Sequence, residues 1–514
     1  MRPIDPRLLA RALKRFEGVV GAAHVYIGAE ARTGYADAMA PRDPASYAPQ
    51  AAVAPANVDE VQAIVRVAGE LGIPLWPISR GKNFGYGGSA PHFADVVMLD
   101  LVRMNRILEV NVAMGYALVE PGVGFDDLYH HLVDNRIPLW ISAPAHTWGS
   151  VVGNALERGI GYTPYGEHAS KVCGLEIVTA RGELMRTGMG ALPGSKTWQA
   201  FPYGFGPSWD AAFMQSNFGI VTKMGLWLMP EPEHTLSMNM QIEDEAHLPA
   251  AIDALRPLKL DGTVQANPSF GNVVRSLSTR ATRSTYFTGR GPMPRSSLEA
   301  ARRSAGVGNW NFSIRLFGDP RINAINADRV RKAFAAKVPD QFTTTEWHRG
   351  EPLPGSGSPV PSLSALGVVD WLGGPGGHLT FSPVSGFSGA EAWTQYTTIR
   401  SMYEAAGFDY YGGFTAGQRY LNHINMILFN RNDADMTARA NTLFANLIAT
   451  AADKGWGEYR THTLYYEKVA STYSYNHNAL QRWNETVKDA VDPKGIIAPG
   501  KMGIWPRSYR DAKA

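Results

Sequence analysis

The chain has 514 residues, more than one compact core usually holds, so we expect two domains. Hydrophobic residues make up 45% and charged residues 18%, the net charge is +3, and Lys and Arg form no cluster. This composition argues against nucleic acid or an anionic membrane as a partner. The single cysteine, Cys173, excludes an intrachain disulfide and a thiolate metal site, and we expect no metal centre. Without a signal-like segment or a long apolar run, the sequence predicts a cytoplasmic protein.

The first half of the chain alternates strand and helix patterns. Asn57 can cap a helix with an acidic first turn, and apolar residues then recur at helical spacing until Gly72. A strand predicted over residues 73–79 leads into a glycine-rich loop at residues 80–91.

A second strand–helix–strand unit follows the first. The predicted elements are strands at 116–123, 137–142 and 219–230, a helix at 125–135 and a hairpin over 175–188. Short alternating units of this kind are typical of an α+β domain, which we assign to residues 1–235.

The segment "PEPEH" at residues 230–234 marks the expected domain boundary. Residues 236–474 are assigned to a second domain, with helices at 243–255 and 297–304 and a Gly/Pro-rich loop at 353–364. Residues 475–514 form a C-terminal segment, read as an amphipathic helix followed by a Pro/Gly-rich tail.

The glycine-rich loop is the strongest local signal for a ligand. Its glycines (Gly81, Gly85, Gly87 and Gly88) allow a close backbone approach, and successive N–H groups can surround an anion. The loop follows a predicted strand, as a pyrophosphate site should, but it matches neither G-x-G-x-x-G nor the Walker spacing. Taken alone, such a turn is more often structural than a phosphate site.

Several further motifs occur in a fixed order. They read "GKNFGYGGSAP", "VEPGVGFDDLY", "WGSVVGN", "RGIGYTPYGEH", "RTGMGALPGS", "QSNFGIVTKMG", "GWGEYRTH" and "DPKGIIAPGKMGIWP". In this order the chain closely resembles the family of vanillyl-alcohol oxidase, eugenol oxidase and 4-cresol dehydrogenase, from about residue 50 to residue 506. The resemblance implies an α+β, two-domain fold of the p-cresol methylhydroxylase type. In it, a discontinuous FAD-binding domain is joined by the C-terminal segment, and a cap domain covers the flavin ring.

The resemblance also implies which residues contact FAD. The pyrophosphate would be bound by Gly81, Lys82, Asn83, Gly87 and Gly88. The remaining cofactor contacts would come from Arg80, Gly85, Gly153, Asn154, Glu167, His168 and Ile220.

His378 follows a Gly-rich turn in "WLGGPGGHLTFSPVS". Without context it reads as a solvent-facing histidine. The segment nevertheless resembles the one in which eugenol oxidase carries its flavin-linked histidine, which implies FAD attached covalently (8α-histidyl) to His378. Such a link prevents dissociation and raises the flavin's reduction potential. The 4-cresol dehydrogenases link through a Tyr whose position here is Asp370, so the histidine type is favoured.

Tyr86, Tyr459 and Arg460 form the substrate-binding group that the resemblance implies, and Tyr162 is expected to join them. Two phenol hydroxyls and a guanidinium can stabilise a substrate phenolate by charge-assisted hydrogen bonds. Without the flanking "GWGEYRTH", Tyr459 and Arg460 would read as a surface strand pair. Lys501 corresponds to a basic residue near the flavin pyrimidine, where a cation stabilises the reduced anionic flavin; an ordinary solvated Lys is the alternative.

The chain departs from the family where proton transfer is expected. Ala145 occupies the position of a catalytic Asp, with His146 beside it, and Gly413 replaces a Glu of the 4-cresol dehydrogenases. A His-His pair is replaced by Asn422 and His423. Proton acceptance therefore falls to His146, His423 or water, and the small residues leave space beside the benzylic carbon. The expected substrate pocket comprises Ala145, Ile160, Gly413, Thr415 and His423.

These features predict an enzyme that oxidises 4-alkylphenols, 4-hydroxybenzyl alcohols and methoxylated lignin-type phenols. A benzylic hydride would pass to the flavin, leaving a p-quinone methide, and O₂ would be reduced to H₂O₂. One alternative is a dehydrogenase that passes electrons to a cytochrome, although the chain has no Cys-x-x-Cys-His motif. Another is a flavin-binding protein without turnover. By analogy with relatives we expect a homo-oligomer.

Overall fold

The computed structural model describes residues 3–41, 43, 46–353 and 359–511. Part of the loop predicted at 353–364 therefore lies outside the described residues. No helix in the described ranges is long and apolar enough to cross a membrane.

The N-terminal part of the chain folds around a four-stranded sheet in the order β1-β2-β4-β3, with β2, β4 and β3 parallel. Its elements are α1 (Pro6–Val20), β1 (Val25–Ile27), α2 (Gly28–Gly34), β2 (Ala51–Val53), α3 (Val58–Leu71), β3 (Leu75–Ile78) and β4 (Val97–Asp100). The predicted helix α3 is confirmed, because the Asn57 side chain accepts a bond from the Glu60 N–H at 3.0 Å and Gly72 ends it in the left-handed region.

A second, antiparallel sheet follows in the order β5-β6-β10-β8-β9. The elements of this part are β5 (Ile107–Asn111), β6 (Tyr116–Val119), α4 (Phe125–Asp134), β7 (Leu139–Trp140), α5 (Val151–Leu156), β8 (Val172–Val178), β9 (Leu184–Arg186), β10 (Ile220–Trp227) and β11 (Met229–Pro230). The predicted hairpin is confirmed as β8 and β9, with Gly182 at positive φ in its turn. The strand expected at 137–142 shortens to β7, which pairs with β11.

The central part of the chain builds an eight-stranded sheet, the cap sheet. Seven strands follow the order β15-β12-β14-β13-β18-β19-β16, and β17 pairs with β19. The elements are β12 (His234–Ile242), α6 (Leu248–Leu260), β13 (Ser269–Asn272), α7 (Val273–Ser278), α8 (Arg295–Ala305), β14 (Trp310–Gly318), α9 (Pro320–Ala335), β15 (Phe342–His348), β16 (Gly376–Phe381), β17 (Val384–Gly386), α10 (Gly389–Ala405), β18 (Tyr411–Ala416), β19 (Tyr420–Asn430) and α11 (Ala434–Asp453). The sequence pattern predicts mainly helices and loops in this part of the chain, whereas the structure also contains this sheet. The helix expected at 243–255 begins later, at Leu248, after a 3₁₀ turn.

The two faces of the cap sheet have different partners, as alternation along a strand requires. On β16, Leu379 and Phe381 pack into the cap core with residues of α6, α10 and α11. His378 and Thr380 lie on the opposite face, and both lie against Gly85 of the glycine-rich loop. The glycine-rich loop and the cap sheet therefore meet at this face.

The last part of the chain forms α12 (Tyr466–Thr472), α13 (Tyr475–Val491) and α14 (Arg507–Arg510), and its residues that join the core of the first sheet are Tyr466, Ile496, Ile497, Ala498, Trp505 and Tyr509. Leu75 of β3 exchanges backbone bonds of 2.7 and 2.8 Å with Ile496 and Ala498. Lys488, fully buried, donates to Asp492 at 2.7 Å and to two backbone carbonyls, which fixes the turn before Lys501. Tyr466 already belongs to the first core, so the chain returns there by α12.

Candidate active site

A cleft of about 1290 Å³, part of it open to solvent, runs between the first two sheets towards the cap. Its walls come from the end of β3, the glycine-rich loop, α5, the start of β10 and the C-terminal segment. The sequence-predicted residues that line it are Gly81, Lys82, Asn83, Tyr86, Gly88, His146, Gly153, Asn154, Ile220, Arg460 and Lys501.

Three residues expected at the cofactor have other partners. Arg80 forms an ion pair with Asp127 at 2.6 Å. Glu167 accepts a hydrogen bond from Tyr420 at 2.9 Å. His168 is buried, with one ring nitrogen 2.7 Å from the Ser142 carbonyl and the other 2.6 Å from Asn154. Their contacts support the walls of the cleft rather than its inner surface.

Several residues that line the cleft carry enclosed polar atoms without a protein partner. Among the described residues, Nδ1 of His146, Oγ of Ser216, Oδ1 of Asn217, Nε of Arg460 and Oγ1 of Thr463 are enclosed and unbonded. Enclosed polar atoms normally have hydrogen-bond partners. An elongated ligand with many polar groups, such as FAD, fits this set of donors and acceptors.

Gly85 lies directly against His378. A Cβ at Gly85 would overlap the imidazole and lie 2.9 Å from Oγ1 of Thr380, and its φ of 75° is one that glycine adopts most readily. The loop is also held to the cap by a 3.4 Å bond from the Thr380 N–H to the Gly85 carbonyl. Gly85 therefore contributes through this contact, although it does not line the cleft.

His378 is buried, and its Nδ1 lies 3.0 Å from the Thr380 hydroxyl. Burial, with a smaller contribution from His146, lowers the pKa of His378 to about 4. The imidazole is therefore neutral at pH 7, and Nε2 has no hydrogen-bond partner among the described residues. Asp370, at the position of the alternative tyrosine link, is exposed at the end of a 3₁₀ helix.

Arg460, Tyr86 and Tyr459 are brought together beside this face. The Arg460 guanidinium lies 4.1 Å from the centre of the Tyr86 ring and donates to Asn83. Burial is the main cause that raises the pKa of both Tyr86 and Tyr459. Both phenols are therefore protonated near neutral pH and can act as hydrogen-bond donors beside a guanidinium.

Tyr162 extends this group towards a residue that the sequence reading missed. It interacts electrostatically with Tyr459 and with Arg275, which belongs to α7. The Arg275 guanidinium lies beside Gly413, where a Cβ would be 2.7 Å from its Nη1. The expected space at Gly413 is therefore filled by Arg275, which corrects the prediction of an empty pocket there.

His423 does not belong to the pocket. It is buried on the cap-core side, stacked on Phe414 at 3.9 Å and bonded to the Tyr410 hydroxyl at 2.7 Å. Burial lowers the pKa of His423 to about 3. The structure therefore places His423 on the face of the sheet opposite to His378, whereas Asn422 shares the face of His378.

The remaining pocket residues lie in different settings. Ala145 is exposed, Ile160 forms a bridge with Glu167, and Thr415 is buried between Ser269 and Asn422 in the cap sheet. None of the three lines the cleft described above.

His146 points inward, with its ring 5.7 Å from that of Phe84. Burial and the nearby Arg460 lower the pKa of His146 to about 4. At pH 7 the ring is therefore neutral and weakly basic.

Two acidic residues near the site were not anticipated. Glu157 forms an ion pair with Lys501 at 2.7 Å, so Lys501 is not a freely solvated lysine. Glu458 is buried next to Tyr459, and burial raises the pKa of its carboxyl well above the usual range. Its position within "GWGEYRTH" was the only signal available in the sequence.

Side chains of metal-ligand type approach one another at the other edge of the cap sheet. Ligand atoms of His234, Glu346 and His348 lie within 4.8 Å of each other on β12 and β15. The sheet order separates this edge from β16 and His378.

Comparisons with known proteins agree with this geometry. Residues 49–188 match an FAD-binding domain, and residues 368–502 match the C-terminal domain of FAD-linked oxidases. The chain is 37% identical to the 4-cresol dehydrogenase [hydroxylating] flavoprotein subunit of Pseudomonas putida, over 96% of this chain and 95% of that protein. It is 38% identical to the 1'-carboxy-chondrochloren decarboxylase of Chondromyces crocatus, over 97% and 98%.

Among solved structures, the 4-ethylphenol oxidase from Gulosibacter chungangensis superimposes with a TM-score of 0.95. It is 35% identical, and the match covers 99% of both chains. The fold expected from the sequence, an FAD-binding domain with a cap, is thereby confirmed. The chain belongs to the vanillyl-alcohol oxidase family of FAD-dependent oxidoreductases.

Proposed function

We propose that the protein oxidises 4-substituted phenols at the benzylic carbon through a p-quinone methide, with O₂ as the final electron acceptor. The observation that supports this most directly is the group of Tyr86, Tyr459 and Arg460, which meets the cap face bearing His378. A relative of known structure is named a 4-ethylphenol oxidase, and another is named a 4-cresol dehydrogenase.

The protein side of the mechanism begins with the phenol oxygen. Arg460 provides a positive charge, while the protonated Tyr86 and Tyr459 can donate to the same oxygen, so the substrate binds as phenolate. Bound FAD supplies the oxidant, which accepts a hydride. Because the substrate is bound as phenolate, loss of a hydride gives the neutral p-quinone methide rather than a benzylic cation, and the donors hold the ring in place. Lys501, held by Glu157, is placed to stabilise negative charge on the cofactor.

The covalent flavin link is a further part of the proposal. His378 is neutral at pH 7, and Thr380 orients it by occupying Nδ1, which leaves Nε2 as the nitrogen for the 8α-methyl group. The close contact with Gly85 limits the positions that the imidazole can adopt. We also propose that the electrons pass to O₂ rather than to a cytochrome. We further propose that the protein forms a homo-oligomer.

A second candidate reaction is oxidation with loss of CO₂. It is favoured by the similarity to a relative named a decarboxylase and by the lack of a carboxylate at positions 145 and 413. After hydride loss from a 3-(4-hydroxyphenyl)propanoate, the C–COO⁻ bond can break. Its electron pair forms the new C=C bond and restores the aromatic phenolate, releasing CO₂. This step needs neither water nor a proton acceptor.

The phenolate group predicts a large effect of Arg460→Ala on flavin reduction. Loss of a charge-assisted contact to an enclosed anion costs on the order of 2–3 kcal/mol, which corresponds to a roughly 30- to 150-fold slower reaction. Anaerobic stopped-flow reduction with 4-ethylphenol measures this rate. Arg419→Ala, at an exposed turn, is the control. Rapid reduction by 4-ethylanisole, which cannot ionise, would contradict the phenolate mechanism.

The covalent link predicts flavin fluorescence on the protein band of a denaturing gel. His378→Ala should lose the fluorescent band while still binding FAD, and Thr380→Val should slow attachment because Nδ1 loses its partner. Gly85→Ala should also lose the fluorescent band, since the new methyl group overlaps the imidazole of His378. His477→Ala, an exposed histidine, should behave like the parent. Release of all flavin from denatured parent protein would refute the link.

His146 is predicted to accept a proton after hydride transfer. In His146→Gln, the rate of flavin reduction should stay within about threefold of the parent rate, which corresponds to less than about 1 kcal/mol of activation free energy. Conversion of the quinone methide to product should become slower. Only the neutral ring accepts a proton, so with a pKa of about 4 the contribution is constant above about pH 5.5 and disappears as pH falls through 4. An unchanged product ratio from 4-ethylphenol in the variant would leave water as the acceptor.

The second candidate predicts that 3-(4-hydroxyphenyl)propanoate yields 4-vinylphenol and CO₂. In an anaerobic single turnover, both should appear in equal amounts with reduced flavin, because no other oxidant is present. 4-Ethylphenol, which lacks the carboxylate, should release no CO₂. Accumulation of 4-hydroxycinnamate instead would reject decarboxylation and leave the phenol oxidation itself intact.

A further inference from the structure

Arg275 reaches from α7 across two facing glycines of the cap sheet. Gly271 and Gly413 pair directly between β13 and β18. A Cβ at Gly271 would lie 3.0 Å from Cδ of Arg275, and a Cβ at Gly413 would lie 2.7 Å from its Nη1. The two glycines thus create the space that the arginine side chain occupies.

The guanidinium lies on the cap face that also carries His378. Directly paired residues of neighbouring strands point to the same side of a sheet. Met426 of β19 pairs with both Thr380 and Tyr411, so these two share a face, and Gly413 follows Tyr411 by two residues. Because the direction of a Cβ at Gly413 leads to Nη1, Arg275 is on the Thr380 side, opposite His423.

This cation has no carboxylate partner. Among the described residues, no Asp or Glu oxygen lies within 4.0 Å of the Arg275 guanidinium. Its polar neighbours are Tyr162 and Tyr411, and burial raises the pKa of Tyr411, which therefore stays neutral. By contrast, Arg283 in the same domain pairs with Asp409 at 2.7 Å. A desolvated charge normally has a counter-ion, because burying it alone is costly.

The position of Arg275 relative to the proposed phenolate-binding residues indicates which kind of ligand its charge can bind. Tyr162 lies between the two, because it interacts electrostatically with both Arg275 and Tyr459. A phenol bound at Tyr86, Tyr459 and Arg460 would direct its 4-substituent away from those residues. Arg275 is the cation next along this chain of contacts, so an anionic group on the 4-substituent could reach it.

We propose that Arg275 binds a carboxylate on the 4-substituent of the substrate, so that 3-(4-hydroxyphenyl)propanoate-type acids are preferred over neutral 4-alkylphenols. The inference rests on the proposed oxidation of phenols and adds the substrate class. A guanidinium matches a carboxylate through two parallel N–H···O bonds, which neutral substituents cannot replace.

Binding of a non-oxidisable probe tests the proposal without catalysis. 4-Hydroxycinnamate carries the carboxylate but has no removable benzylic hydride, and its primary amide is the neutral match. Calorimetric titration of the holoenzyme should show tighter binding of the acid. Arg275→Leu should weaken acid binding by about ten- to one-hundredfold and leave the amide nearly unchanged. Arg275→Lys should restore part of the acid affinity, because it keeps the charge and loses the bidentate geometry.

Steady-state kinetics of a matched arginine variant provide the control. Arg280→Leu removes an exposed charge just beyond the same helix and should not change the preference for acids. In Arg275→Leu, the ratio of KM for 3-(4-hydroxyphenyl)propanoate to KM for 4-propylphenol should rise at least about tenfold, and an unchanged flavin absorbance spectrum and FAD content show that the variant is folded. Equal affinity of the parent for acid and amide, or an unchanged ratio in Arg275→Leu, would overturn the proposal. Failure of 4-propylphenol to reduce the parent's flavin would instead overturn the proposed oxidation.

Discussion

Gly85 lies directly against the imidazole of His378, and this contact joins two parts of the chain that are almost three hundred residues apart. No side chain fits between them, so the glycine-rich loop must approach the cap sheet by its backbone. The loop that lines the cofactor cleft and the histidine proposed to bind the flavin are thereby held in one geometry. Tyr86, the next residue, is placed beside Arg460 by the same approach.

The alternation of the cap sheet determines which residues can act at this junction. Leu379, Phe381 and Phe414 belong to the cap core, which the helices cover. His378 and Thr380 alternate with Leu379 and Phe381 along β16, and they therefore face the glycine-rich loop. His423 belongs to the core side by the same rule, and its low pKa follows from burial among aromatic rings. A histidine in a strand is therefore available for chemistry only if its register places it on the cleft face.

Much of the site could be predicted from the sequence because it lies in contiguous motifs. The loop around Gly81 and Gly88, the pair Tyr459–Arg460 and His378 all occur in segments with a characteristic order. The cap sheet could not be predicted, because its strands pair with partners far away in the sequence. In addition, polar and apolar residues do not alternate regularly along many of these strands. Arg275 was missed for the same reason, because only the pairing of β13 with β18 brings it to Gly413. The low pKa of His146 depends on burial, which no local pattern reports.

The loss of acidic side chains and the presence of an unpaired cation are linked. A carboxylate at position 413 would have no room beside Arg275, and if accommodated it would neutralise the guanidinium. Glycine at this position leaves the charge without a counter-ion within the described part of the chain and therefore able to bind an anion from outside. By the resemblance, the same glycine stands where the 4-cresol dehydrogenases have a Glu, so we propose that the benzylic carbon lacks that proton acceptor. A substrate that brings its own carboxylate satisfies the cation, and if that carboxylate leaves as CO₂, the missing acceptor is no longer needed.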